Sequence, residues 1–209
     1  MEIQKLIAGF QRFRENYFGG DQELFRQLKQ GQNPGAMVIA CSDSRVDPAI
    51  LLDAKPGDLF MVRNVANLVP PYEKGAGLHG VSTALEFGVC VLNVQHLIVL
   101  GHSSCGGVRA LMQGISAGTQ AEFISGWVNI AARAKARVLA ELPHASTEKQ
   151  CSACEEASIL VSLENLLTFP WIRERVERGE LLLHGWYFNI DTGELIAYDP
   201  AQGAFLPLS

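Results

Sequence analysis

Three short runs of uninterrupted apolar residues constrain this chain most: Met37-Val38-Ile39-Ala40, Leu59-Phe60-Met61-Val62 and Leu97-Ile98-Val99-Leu100. Each has the length of a strand, and none alternates with polar residues as a strand with one wet face would. The first reads as a strand buried on both faces, and the other two as the second and third strands. Helical patterns separate them. Asp47-Pro48 opens one helix, since Asp caps free amides and Pro fits the first turn, where its missing N–H is not needed. Residues 78–92 form a mostly apolar second helix, and a glycine-flanked turn after Leu100 leads into a third from about Val108. Such alternation predicts an α/β fold, a mainly parallel central sheet flanked by helices. Upstream, residues 2–30 read as helix divided at Gly19-Gly20, with Ile3, Leu6, Ile7 and Phe10, then Leu24, Phe25 and Leu28, at helical spacing. Downstream, residues 121–140 and 147–168 read as helices, the second opening on a capping box of Thr147 and Gln150. Leu181–Asn189 and Glu194–Tyr198 flank Asp191-Thr192-Gly193, the pattern of a hairpin that gives the sheet an antiparallel C-terminal edge.

At 209 residues with no long linker, one domain is expected: a helical arm over 1–30, a core over 36–120, and helices and terminal strands over 121–209. The net charge of −5 and the scattered Lys and Arg exclude a nucleic-acid partner. No apolar run approaches the roughly 20 residues that span a bilayer, and the N-terminus lacks a signal peptide's apolar core, so a cytoplasmic protein without membrane contact is expected. Five cysteines are an odd number. In a reducing compartment they are metal ligands, nucleophiles or buried fillers before they are disulfides.

Chemistry in open parallel sheets collects beyond the carboxyl ends of the strands. The first strand runs into Cys41-Ser42-Asp43-Ser44-Arg45 and the third into Gly101-His102-Ser103-Ser104-Cys105-Gly106-Gly107. A catalytic zinc takes three protein ligands and leaves a fourth position open, and Cys41, His102 and Cys105 would supply that set. Asp43 can either join the metal or stand beside it and accept a hydrogen bond, and Arg45 can hold it away by a bidentate pair.

Cys-Ser-Asp-Ser-Arg at 41–45, Val-Arg-Asn-Val-Ala-Asn at 62–67 and Gly-His-Ser-Ser-Cys-Gly-Gly at 101–107 together resemble the β-class carbonic anhydrases. The likeness runs from the N-terminal helices to the terminal hairpin, including Ser162-Leu163-Glu164-Asn165-Leu166 and His184-Gly185-Trp186. It implies one Zn²⁺ per subunit on Cys41, His102 and Cys105, joined by Asp43 only in a closed state, with Asp43 and Arg45 as the catalytic dyad. It implies reversible hydration of CO₂ to bicarbonate by a zinc-held hydroxide. It further implies a substrate-side Gln32, a pocket lined by Phe60, Val65 and Phe87, and a backbone N–H offered to substrate by Gly106. The family assembles as a homodimer or a dimer of dimers, its N-terminal helices packing on the partner subunit. Phe87 stands where many relatives carry Tyr, and Val38 stands where a bicarbonate-regulated subgroup carries Trp, which argues against that regulation.

Hydrolysis of carbonyl sulfide or carbon disulfide at the same site is one alternative, and a non-catalytic, zinc-stabilised or thiol-sensing protein is another. A merely structural zinc has no need of Asp43 and Arg45, which separates that last option. Gly75-Ala76-Gly77-Leu78-His79-Gly80 satisfies a dinucleotide-binding pattern but follows a loop and lacks an acid about 20 residues on, so it reads as a flexible loop. Cys151-x-x-Cys154 and Cys90 are expected to be packing residues, and His79 and His184 structural ones.

Overall fold

The computed structural model describes residues 3–20, 23–75, 77–115 and 120–208. The chain divides into two compact units, a helical one ending at Asn33 and a larger one beginning at Pro34.

The N-terminal unit holds α1 (Ile3–Phe18) and α2 (Glu23–Leu28). The helix breaks at the glycine pair, where a Cβ on Gly19 would lie 2.5 Å from the Glu15 carbonyl oxygen. The rings of Phe13, Tyr17 and Phe18 pack around Phe25 with centroid separations of 5.8, 5.6 and 4.7 Å. Ile3, Leu6, Ile7 and Phe10 form a stripe along α1 that stays exposed. Residues 2 and 21–22 of the expected helix lie outside the described residues.

The larger unit is built on a six-stranded sheet in the order β2-β1-β3-β4-β5-β6. Its strands are β1 (Ala36–Cys41), β2 (Leu59–Asn64), β3 (His96–His102), β4 (Leu182–Phe188), β5 (Leu195–Asp199) and β6 (Ala204–Pro207). The pairings β2–β1, β1–β3 and β3–β4 are parallel, and β4–β5 and β5–β6 are antiparallel. The mainly parallel sheet with an antiparallel C-terminal edge is therefore as expected, with β6 added.

Packing on the two faces follows the period of the strand. Met37, Ile39, Leu97 and Val99 point into the main core, while Val38, Ala40, Ile98 and Leu100 point into a smaller one on the opposite face. Burying side chains of this size stabilises the fold by about 1.5–3 kcal/mol apiece. Strand β2 forms as expected and lies at the sheet's edge, where Met61 is 40% exposed. An apolar run alone does not reveal which strand ends up without an outer neighbour.

The helices of this unit are α3 (Pro48–Leu51), α4 (Gly80–Glu86), α5 (Gly106–Gln113), α6 (Glu122–Val128), α7 (Ala132–Glu141), α8 (Thr147–Leu166) and α9 (Pro170–Glu177). The side chain of Asp47 accepts from the amides of Ala49 and Ile50, so α3 is capped as expected. The cap of α8 is Ser146, which accepts from the Lys149 amide at 3.3 Å, and not Thr147. A 3₁₀ turn at Asn129–Ala131 divides the helix expected over 121–140. Helix α9 has no counterpart in the sequence expectation, although Pro170 marks its first turn. The helix expected over 78–92 begins at Gly80 and widens into a π turn over Phe87–Val91. That turn forms where Gly88 approaches the sheet: a Cβ there would lie 2.7 Å from Met37 Sδ and 3.2 Å from Phe60 Cδ1. The widened turn also leaves Cys90 exposed, which corrects its assignment to the core.

Candidate metal centre

Strands β1 and β3 are parallel neighbours with Ala40 opposite Leu100, so their ends open on the same edge of the sheet. Because β1 sits between β2 and β3, the chain leaves it in opposite directions, which creates the crevice in which α/β sheets place their sites. Cys41 ends β1, His102 ends β3, and Cys105 lies one turn further on, where α5 begins. The turn is made possible by Ser104 at φ 59°, a left-handed conformation that costs a non-glycine residue about 1–3 kcal/mol. Ala66 and Asn67, at φ 64° and 48°, are held in the same region in the loop packed against Gly107.

The Sγ and ring-nitrogen donors of Cys41, His102 and Cys105 all lie within 4.8 Å of one another, and all three residues are buried. The two sulfurs are 4.0 Å apart. Tetrahedral coordination with Zn–S of about 2.3 Å requires about 3.8 Å between sulfurs, so the pair is already spaced as ligands. His102 Nδ1 bonds to the Ser103 carbonyl oxygen at 2.9 Å, which directs Nε2 inward, and Nε2 is buried without a hydrogen-bond partner. A buried nitrogen with a free lone pair facing two sulfurs fits a zinc ligand set. Hydrogen bonding from Cys105 lowers the Cys41 thiol to about 4 against the effect of burial. The same partnership, with burial, pushes Cys105 up. The two sulfurs thus share one proton. For His102, burial opposes the charged ring, but the adjacent Cys41 sulfur outweighs it and raises its pKa.

Beside these donors, Arg45 grips Asp43. Its Nε donates to Oδ1 at 2.9 Å, its Nη2 to Oδ2 at 2.7 Å, and its own backbone N–H to Oδ1 at 3.0 Å. The guanidinium, with that amide, holds the Asp43 carboxyl well below the usual carboxylate range. Arg45 Nη2 also donates to the Ser104 carbonyl oxygen at 3.1 Å, tying the loop after β1 to the loop after β3.

Of the other anticipated residues, Phe60 and Phe87 stack with centroids 5.7 Å apart. Val65 lies against Gly107, where an added Cβ would come within 2.7 Å of its Cγ1. Gly106 opens α5 with free space above its Cα. Val38 is fully buried in the smaller core. Gln32 is exposed and belongs to the N-terminal unit. His184 is not alone, since its Nε2 lies 3.1 Å from His96 Nδ1. Cys151 and Cys154 are buried in α8, consistent with packing residues.

Two supports were not anticipated. Arg63, on β2, donates to the carbonyl oxygens of Cys41 and Asp43 at 2.9 and 2.7 Å and to Asp47 Oδ2 at 2.8 Å, bracing the whole 41–47 loop. Glu155, on α8, accepts from the Cys105 backbone N–H and from the Tyr187 hydroxyl, both at 2.9 Å. A signal existed for the second: Glu155 shares a helix face with Cys151, Ser158 and Ser162, a polar stripe at spacings that pack inward.

Comparison with known proteins agrees with this geometry. The sequence model of the carbonic anhydrase family matches residues 36–195. A carbonic anhydrase of Synechocystis is 40% identical over 197 residues, covering 94% of this chain and 71% of that protein. The β-carbonic anhydrase CcaA superposes with a TM-score of 0.92 at 38% identity over 99% of both chains. A tetrameric β-carbonic anhydrase of Sordaria macrospora gives a TM-score of 0.76 at 26% identity, covering 97% of this chain and 94% of that one. In sequence and in fold alike, the chain belongs to the β-carbonic anhydrase family of lyases.

Proposed function

We propose that this chain hydrates CO₂ reversibly to bicarbonate and a proton, with Cys41, His102 and Cys105 holding one Zn²⁺ per subunit. The observation that carries this is the Asp43–Arg45 clamp beside three converging donors, since a structural zinc would need no such pair. When bound, zinc supplies an acidified water and so a nucleophile near neutral pH.

The protein's own groups aim it. Arg45 occupies three of the roughly four acceptor positions of the Asp43 carboxylate, which leaves one to take the nucleophile's hydrogen and fix the direction of its lone pair. Clamped in this way, Asp43 stands outside the group of three converging donors. The Gly106 N–H, at the N-terminus of α5, would meet an oxygen of CO₂ or bicarbonate as charge develops. Phe60, Val65 and Phe87 provide apolar surface for a neutral gas, and no charged funnel is required to draw it in. Gln32 is proposed as the remaining substrate contact.

Assembly as a dimer, or a dimer of dimers, fits two exposed apolar surfaces. A groove of about 730 Å³ is lined by residues including Val65, Leu78, Phe123, Ile124 and Trp127, and the α1 stripe of Ile3, Leu6, Ile7 and Phe10 is uncovered. Stopped-flow CO₂ hydration by zinc-loaded protein between pH 7 and 9 tests the activity, with metal analysis alongside. Catalysis that disappears in Cys41→Ser together with the metal is expected. A zinc-loaded protein with no hydration activity at any of these pH values would refute the proposal.

A further inference from the structure

Glu155 is the most deeply buried carboxylate among the described residues, 4% exposed, and none of its neighbours there is a lysine or arginine within ion-pair distance. A buried charge without a cation is costly unless its surroundings compensate. Two donors do so in part. The Cys105 backbone N–H reaches one carboxylate oxygen and the Tyr187 hydroxyl reaches the other, each at 2.9 Å. Both partners are themselves fixed. Tyr187 is buried in β4, with its neighbour Phe188 accepting from the Ser103 N–H at 3.0 Å, and the Ser103 hydroxyl accepts from the Ile190 N–H at 2.8 Å. The carboxylate is therefore bonded directly to the strained turn that carries His102, Ser104 and Cys105.

We infer that Glu155 is a positioning residue for the metal centre. It would hold the Cys105 peptide in the orientation that aims the thiolate at His102 and Cys41, and set a negative charge behind a site that receives a dication. Tyr187 is the second arm of the same device, locking the carboxylate by its other oxygen. The inference rests on the zinc assignment above and adds the group that keeps one ligand of that zinc in place. Partners one layer out from a metal ligand change metal affinity about 10- to 100-fold when removed.

Glu155→Gln tests it. The amide keeps the size of the side chain, and its oxygen can still accept from Cys105 while its NH₂ faces the tyrosine oxygen, so the charge is removed with little change in shape. Zinc transfer from the loaded protein to a colorimetric chelator is expected to accelerate about 10- to 100-fold. The stabilisation that zinc confers, read as the difference in Tm between loaded and metal-free protein, should shrink. In Co²⁺-substituted protein the thiolate-to-metal absorption should shift further in Glu155→Ala than in Glu155→Gln. Tyr187→Phe should show the same faster zinc loss to a smaller degree, and it decides the matter if the Glu155 variants do not fold. A purely structural role would instead lower both Tm values equally and leave the chelator rate and cobalt spectrum unchanged; that result overturns the inference. A wild-type chain that takes up no zinc would instead bring down the metal assignment itself.

Discussion

Asp43→Asn is the substitution that isolates the proposed chemistry from the metal. The carboxylate accepts three hydrogen bonds from Arg45 and retains one acceptor position for the nucleophile's hydrogen. An asparagine has one acceptor oxygen. If that oxygen faces Arg45 Nε and the backbone N–H, its NH₂ meets Arg45 Nη2 and the incoming hydrogen, a donor against a donor on both sides. If the amide is turned over, two Arg45 donors lose their acceptor instead. In the first arrangement the orienting acceptor is lost, and in the second the clamp that aims it is broken, while Cys41, His102 and Cys105 are untouched in both. Misplacing a reacting group by about 1 Å costs about 10²-fold, which corresponds to about 3 kcal/mol on the barrier. Stopped-flow hydration of CO₂ measures the rate, and metal analysis on the same sample should return one zinc per chain. Because Arg45 holds Asp43 ionised far below neutral pH, the wild-type rate should show no titration of this carboxylate between pH 6 and 9. A variant with full zinc and more than about a tenth of wild-type turnover would contradict this figure, and the orienting role with it.

Gly107→Ala should destabilise the protein, since the new Cβ would lie 2.7 Å from Val65 Cγ1 and 2.9 Å from Ala66 Cβ. Overpacking costs about 1–3 kcal/mol, or roughly 2–12 °C in Tm for a chain of this size, and an unchanged melting curve would refute it. Of the three cysteines outside the candidate centre, Cys90 should react first with a thiol reagent and Cys154 last, because Cys154 is buried and its thiol is pushed up to about 12 by that burial. Mass spectrometry of a brief alkylation reads the order. His184 has its pKa lowered from 6.5 by burial and by the adjacent His96, so the unfolded chain takes up that proton first. Its contribution is complete above pH 6.5 and is lost as pH falls below it; the urea midpoint should decline less between pH 7 and 5 in His184→Gln than in the wild type.

Much of the architecture was legible because local chemistry and tertiary role coincide. The runs at 37–40 and 97–100 are apolar at every position, and only a strand covered on both faces makes use of that. Asp47-Pro48 starts a helix for reasons contained within four residues. Expectation failed where the decisive neighbour is distant in sequence. Nothing in the 59–62 run told that the sheet order leaves β2 on the edge and Met61 exposed. Cys90 looked like a core residue until the approach of Gly88 to Met37 and Phe60 widened the helix beneath it.

The same division holds at the candidate centre. The sequence alone determined the donor types, the Asp43-x-Arg45 pair and the His102-x-x-Cys105 turn, since side-chain chemistry and short spacing suffice for those. Only the tertiary structure decided that sulfurs 64 residues apart face each other, because β1 and β3 pair in parallel with their ends level. It alone brought Arg63 under the 41–47 loop and Glu155 behind Cys105, 50 residues away. Such supports depend on where strands and helices pack rather than on any local preference, and a linear sequence carries that information only through the fold it produces.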